Sequence, residues 1–137
     1  LGMDVVCVGD AYLSDSEFDE LLNTESITIK ATPLTDIVEE LEFFDKEYIL
    51  RKDESKYFLR SSSTRGIKLQ SHNTLKKLEK YLIVVDNINM PRYFGELEII
   101  KNPIVNDGSM NVIGVVKEES KTLIDLIKGG QRIKFKL

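Results

Sequence analysis

The sequence predicts a small, mainly β domain with one or two short helices, closed or half-closed into a barrel. Three observations carry that reading. From Gly66 onward the chain is a series of short alternating or β-branched runs separated by turn residues. Helical periodicity is confined to a few short stretches. The chain has 137 residues with 42% of them in the AVILMFWYC set, enough for one hydrophobic core and far short of the roughly 250 residues of a complete eight-fold α/β barrel.

The elements follow in order. Met3-Asp4-Val5-Val6-Cys7-Val8-Gly9-Asp10 is a nearly continuous apolar run, the pattern of a strand buried on both faces. Ser14 and Glu17 have capping-box spacing, ahead of a helix from about Asp15 to Leu22. Such a βα half-unit is odd at the start of a β domain. It is either an extra edge element or the tail of a preceding domain, and its orphan character favours the second. Ser26 to Thr32 alternates and reads as a strand; Ile37 to Phe43 reads as a short helix. Residues 48–60 read as two extended pieces around the turn Lys52-Asp53-Glu54-Ser55. After the hydroxyl-rich loop Ser61 to Gly66, strands are expected at Ile67–Leu69, Tyr81–Val85, Phe94–Ile100, Asn111–Val116 and over Ile133, Phe135 and Leu137. Leu97 and Ile99 then share one face of their strand and Glu96 and Glu98 the other. A helix from Ser120 to Lys128 stops at Gly129-Gly130.

Composition excludes several functions. The 19 basic and 23 acidic residues lack the strongly basic balance of a general nucleic-acid binder. One cysteine excludes an internal disulfide framework or a cysteine-based zinc site, and the lone His72 excludes a multi-histidine one. No apolar run approaches the ~20 residues that cross a bilayer. No secretory signal opens the chain. The expected setting is the reducing cytoplasm, with no cofactor, no metal, no nucleic acid and no membrane.

Three places can carry chemistry. Asp10 ends the first apolar run, where α/β barrels keep their active sites; it also suits a turn before Ser14. Arg51, Arg60 and Arg65 cluster with Ser61, Ser62, Ser63 and Thr64, and guanidinium forks with hydroxyls suit phosphate or carboxylate. They also suit a solvated loop whose arginines pair with nearby acids. Asp86-Asn87 with Met90-Pro91-Arg92-Tyr93-Phe94-Gly95-Glu96 is the densest polar group. It can frame a sugar, with carboxylate and amide for hydroxyls, the aromatic for a ring face and the arginine for an anion. It can equally be turn chemistry with a surface Arg92–Glu96 pair. Asp107 and Asn111 around Gly108 read as a hairpin, His72-Asn73 as a loop or cap pair, and Lys76, Lys77 and Lys80 as a solvated face.

Several strings together resemble the C-terminal part of the 6-phospho-N-acetylmuramidase (MupG-like) family. They are Val8-Gly9-Asp10-Ala11-Tyr12, Leu59-Arg60-Ser61-Ser62, Val85-Asp86-Asn87, Arg92-Tyr93-Phe94-Gly95-Glu96-Leu97, Asn106-Asp107 with Asn111-Val112-Ile113-Gly114, and Ile127-Lys128-Gly129-Gly130-Gln131. The resemblance implies a cyclophilin-like β-barrel over 25–137, preceded at 1–24 by the last strand and helix of a TIM barrel. It implies an accessory domain that helps to wall the active site of a cytoplasmic glycosidase cleaving a 6-phosphorylated muramyl disaccharide in cell-wall recycling. Arg60, Asp86, Asn87, Arg92, Tyr93 and Glu96 are then the expected substrate-binding residues, with Asp10 a contributor to catalysis that the chain alone does not complete. Its partners are the phosphorylated amino-sugar disaccharide and the TIM barrel of a longer parent chain, and pairing of two chains through residues 3–22 would cover the exposed strand. Ser109 where the family pattern carries arginine, Lys80-Tyr81 in place of Gly-Asp, and Tyr48 near an expected histidine mark a divergent member. The readings set against this are a stand-alone carbohydrate- or small-molecule-binding barrel and a structural interaction domain, both without catalysis.

Overall fold

The computed structural model describes residues 26–53 and 55–137. Asp10 and the expected βα unit at 1–24 lie outside the described residues. The elements are β1 (Ser26–Pro33), α1 (Val38–Leu41) running into a 3₁₀ turn (Glu42–Asp45), β2 (Glu47–Ile49), β3 (Phe58–Ser61), β4 (Lys77–Leu78), β5 (Leu82–Asp86), β6 (Leu97–Ile100), β7 (Ile104–Val105), β8 (Met110–Val116), a 3₁₀ turn (Glu118–Ser120), α2 (Lys121–Leu126) and β9 (Arg132–Lys136).

Seven strands form one sheet in the order β2-β9-β1-β8-β5-β6-β3. Only the β1–β9 pairing in it is parallel; the rest are antiparallel. The two edge strands meet. Arg51 N–H donates to the Arg60 carbonyl at 2.9 Å and the Ser61 hydroxyl donates to the Ile49 carbonyl at 2.8 Å. These bonds curl the sheet into a nearly closed, barrel-shaped wall, which hides edges that would otherwise invite pairing with another chain.

Strand alternation sorts the side chains. Ile29 and Ala31 of β1 and Ile133 and Phe135 of β9 turn inward, while Lys30, Lys134 and Lys136 face solvent. The inner faces of Ile83, Val85, Leu97, Ile99 and Ile113 join them in the main core, with Phe43 and Phe44 from the 3₁₀ turn. A second, smaller cluster of Leu78, Val84, Ile100 and Val112 lies on the other face of β5, β6 and β8. It is covered by the separate two-stranded β4–β7 pair. β5 and β6 are therefore buried on both sides, as their nearly continuous apolar sequences require.

Tyr48, near the position of an expected histidine, is fully buried, and its hydroxyl donates to the Phe43 carbonyl at 2.6 Å. Tyr48→Phe should lower stability by ~1–2 kcal/mol, because that carbonyl loses its buried donor. A urea unfolding curve with unchanged slope and a lower midpoint checks this.

Residues 67–70 correct the sequence reading. Ile67 and Leu69 are more buried than Lys68 and Gln70, yet no ladder forms. Individual partners satisfy the backbone instead. The Leu69 carbonyl accepts from Ile88 N–H, and the Gln70 carbonyl accepts from the Asn111 amide. Two smaller corrections concern ends. Tyr81 stands before β5 with φ of 79°, and β6 begins at Leu97, after a tight turn over 90–95.

Candidate functional site

The seam that closes the barrel is also where the charged residues meet. The run Glu96-Leu97-Glu98-Ile99 alternates from the residue before β6 into the strand, so both glutamates lie opposite the main core. β5 brings Asp86 alongside. Asp86 N–H donates to the Glu96 carbonyl at 3.0 Å, and Gly95 N–H donates to the Asp86 carbonyl at 2.8 Å. On the other flank Arg60 of β3 is the register partner of Glu98. Pleating thus places Arg60, Glu98, Glu96 and Asp86 on one surface of three adjacent strands.

The three carboxylates are buried. Asp86 is 1% exposed, Glu96 0% and Glu98 2%, and an oxygen from each lies within 4.8 Å of the others'. Their cations arrive from loops. Arg65 clamps Glu96 Oε2, with its Nε at 2.7 Å, and Arg51 Nη1 lies 3.7 Å from the same oxygen. Arg51 also holds both oxygens of Asp53 at 3.0 Å, and Arg60 holds Asp53 Oδ2 at 3.0 Å. The Arg65 guanidinium lies over the half-buried Tyr93 ring, 5.4 Å from its centroid. Asp86 Oδ1, Glu96 Oε1 and Glu98 Oε1 have no hydrogen-bond partner among the described residues.

This geometry moves protons. Burial, then the neighbouring Glu96 charge, pushes Asp86 up to about 7. Burial, then the charges of Asp86 and Glu96, holds Glu98 well above the usual carboxylate range. Asp53, exposed and hydrogen-bonded by Arg51 and Arg60, is held below it.

Next to the carboxylates the seam opens into a cleft of about 200 Å³. Arg51, Arg60, Lys101 and Lys128 line it together with Asp53 and Asp125, over an apolar floor that includes Leu59 and Ile127. Gly129 allows the far wall to come this close. A Cβ there would fall 2.5 Å from the Arg51 carbonyl oxygen. A cleft with four cations suits an oxyanion, and a neighbouring acceptor group suits hydroxyls.

The expected site residues divide. Arg60, Asp86, Tyr93 and Glu96 come together at the seam. Arg92 is exposed, and Glu96 takes Arg65 rather than Arg92 as its cation, so the sequence-level Arg92–Glu96 pair is not the one formed. Asn87 points elsewhere. Its amide donates to the Gly108 carbonyl at 3.0 Å and to Asn111 Oδ1 at 2.8 Å, within a buried polar network. Adjacent residues at a strand end face opposite ways, and Asp86 and Asn87 part for that reason. Two of the three arginines were marked by sequence clustering but not assigned to the sugar site: Arg51 and Arg65. Glu98 was missed as a site residue; its alternation with Leu97 and Ile99 was the available signal. Lys101 and Lys128 are too far from Arg51 and Arg60 in sequence to signal the cleft.

A second polar centre joins α1 to β8. Glu40, 1% exposed, accepts from Thr35 Oγ1 at 2.6 Å and from the Asn111 amide at 2.9 Å, and His72 Nδ1 lies 3.3 Å from it. These contacts clasp the helix to the sheet.

Comparison with known proteins bears on both fold and site. No curated protein matches the chain. The crystal structure of an uncharacterized B. cereus protein is similar, with a TM-score of 0.74 and 24% identity, over 94% of this chain and 39% of that one. The crystal structure of a conserved protein of unknown function from Enterococcus faecalis has a TM-score of 0.69 and 18% identity, over 88% of this chain and 32% of that one. The chain therefore spans well under half the length of either, and at these identities they bear on the fold alone. A family model described as "6-phospho-N-acetylmuramidase, C-terminal" matches residues 26–136, which takes in every described strand and the whole seam. The chain belongs to the 6-phospho-N-acetylmuramidase C-terminal domain family.

Proposed function

We propose that this chain is the accessory domain of a cytoplasmic glycoside hydrolase of cell-wall recycling, and that its seam binds the 6-phosphorylated muramyl disaccharide that the enzyme cleaves. The observation that carries the reading is a cleft whose cations Arg51, Arg60, Lys101 and Lys128 outnumber its carboxylates Asp53 and Asp125, with Arg51 also reaching the buried Glu96 behind it. A phosphosugar is a dianion attached to a ring of hydroxyls, and the seam offers a complement to each part. Arg60 and Arg51 supply planar donor forks for the phosphate. Asp86 and Glu96, buried in the free chain, accept from hydroxyls once the arginines above them turn to the ligand. Tyr93 covers an apolar ring face and keeps its hydroxyl wet. Arg92, exposed on the same turn, supplies an outer guanidinium.

Binding requires Arg51 and Arg60 to exchange Asp53 for the phosphate. Asp53 is exposed, so the exchange replaces a screened surface contact by a doubly charged ligand. Hydrolysis is assigned to a TIM barrel preceding the domain in a longer parent chain. The two carboxyl groups of a glycosidase must flank one bond about 5–9.5 Å apart, and the acids of the seam lie beneath arginines rather than across an open groove. Purified 137-residue chain should therefore bind the phosphorylated disaccharide without turning it over.

Arg60→Ala should weaken binding of the 6-phosphorylated disaccharide at least tenfold, since a lost charged hydrogen bond costs ~1.5–3 kcal/mol. The unphosphorylated disaccharide should bind both proteins equally. Calorimetric titration of the two ligands against both proteins reads this. Equal affinity of the variant and the parent for the phosphorylated sugar would remove Arg60 from the site and leave the domain a structural wall.

A further inference from the structure

The ligand reading uses Asp86 and Glu96 but leaves Glu98 unexplained. Glu98 is 2% exposed, in the middle of a sheet, with no direct ion pair of its own among the described residues. A bare carboxylate in that position is among the costliest groups a protein can bury. The charged groups around it among the described residues each have a place. Arg60 faces it from β3 and is hydrogen-bonded to Asp53. Arg51 and Arg65, from the flanking loops, converge on Glu96 Oε2. Asp86 and Glu96 press on it from β5 and from its own strand, Tyr93 carries the Arg65 guanidinium, and Asp107 adds negative charge near Asp86. Asp86 Oδ1 and Glu98 Oε1 both lack a donor. Two carboxyl groups that sit within reach of one another, each short of a donor, share what neither has alone if one of them keeps its proton.

We propose that Glu98 is held as a neutral carboxylic acid that donates to Asp86, making it the positioning residue that presents Asp86 as an oriented acceptor at the seam. The upward displacement of both groups agrees with this arrangement, and the hydrogen bond between them favours the charged form of Asp86 and the neutral form of Glu98. A divalent cation would meet the same three carboxylates, but Arg51, Arg60 and Arg65 already crowd them with positive charge. A proton is the smaller occupant and brings no further repulsion. The inference stands without the sugar, because it concerns the free protein and is read there.

The sign of the pH effect follows. The pair holds a proton in the folded chain that the unfolded chain, with carboxyl groups near ~4, has already released. Its contribution to stability is complete below about 4 and is lost as pH rises through the folded values, about 7 for Asp86 and well above the usual carboxylate range for Glu98. The full 137-residue chain can be tested in chelator by ¹³C-carboxyl NMR and by thermal unfolding between pH 5 and pH 9. The Glu98 carboxyl signal should remain that of the neutral acid through pH 7, and the melting temperature should fall as pH rises. Glu98→Gln, whose amide can donate to Asp86 without a titrating proton, should keep the parent's melting temperature at pH 5 and show a smaller fall. Glu98→Ala should melt lower throughout. A Glu98 signal that ionises in the ordinary carboxylate range overturns the proposal. So does a Glu98→Gln protein as unstable at pH 5 as Glu98→Ala. Millimolar Mg²⁺ or Ca²⁺ that raises the melting temperature of the parent, and not of Glu98→Gln, overturns it in favour of a cation.

Discussion

Gly95→Ala should be among the most destabilising single substitutions in this domain, at about 2–5 kcal/mol. Two independent costs meet there. Gly95 has φ of 90°, a left-handed conformation that costs an L-residue roughly 1–2 kcal/mol. A Cβ at this position would also lie 2.4 Å from the Thr64 carbonyl oxygen and within 2.8 Å of the Ile67 backbone. All three are backbone atoms and cannot swing aside, so the strand and the loop must separate, adding ~1–3 kcal/mol. The same residue links Asp86 to the start of β6, so separation also disturbs the carboxylates. Against a typical domain stability of ~5–15 kcal/mol this is a large share. The urea midpoint should fall by about 1–2 M at unchanged slope. Gly108→Ala is the internal reference. Its φ is 96°, with nothing within 4 Å of the added methyl, so it should show the conformational cost alone. Equal losses at the two positions would mean that the contact with Thr64 and Ile67 contributes nothing.

Asn111→Ala should cost about 3–5 kcal/mol, through polar groups rather than volume. The Asn111 amide donates to Glu40 at 2.9 Å and to the Gln70 carbonyl at 2.7 Å. Its Oδ1 accepts from His72 N–H at 3.0 Å and from the Asn87 amide at 2.8 Å. Truncation takes a partner from all four; Glu40 and Asn87 are buried, and a buried group left unpaired costs ~1–3 kcal/mol, more when charged. Glu40 is the costly one, being 1% exposed and a carboxylate. A double-mutant cycle isolates it. In a Glu40→Gln background the Asn111→Ala loss should shrink by ~1 kcal/mol or more. Strict additivity would show that the Asn111–Glu40 contact carries no energy of its own.

The two centres were unequally legible in the sequence. Arg60, Asp86, Tyr93 and Glu96 stood out because carboxylates, an aromatic and an arginine crowd a strand end and a proline turn. Asn87 stood in the same string and belongs to the other network. The string carries no sign of this, because the turn after β5 aims consecutive side chains to opposite sides. Asn111 read as a hairpin amide; its four partners lie 24 to 71 residues away in sequence. Nothing local can announce a contact of that span.

Residue order alone determined the β character, the positions of most strands and the inward and outward faces of β1, β6 and β9. Those features follow from a period of two and from turn residues that act over a few positions. Tertiary structure alone decided three things. Residues 67–70 alternate like a strand but spend their carbonyls on Ile88 and Asn111, so pairing geometry overrode pattern. Arg51 and Arg60 became neighbours because the edge strands closed on each other. Glu96 and Glu98, which alternation sends away from the main core, are buried all the same, because the opposite face of β6 is also covered. Periodicity reports which residues share a face; what lies against that face depends on strands and loops distant in sequence, and the raised proton affinities of Asp86 and Glu98 follow from that covering.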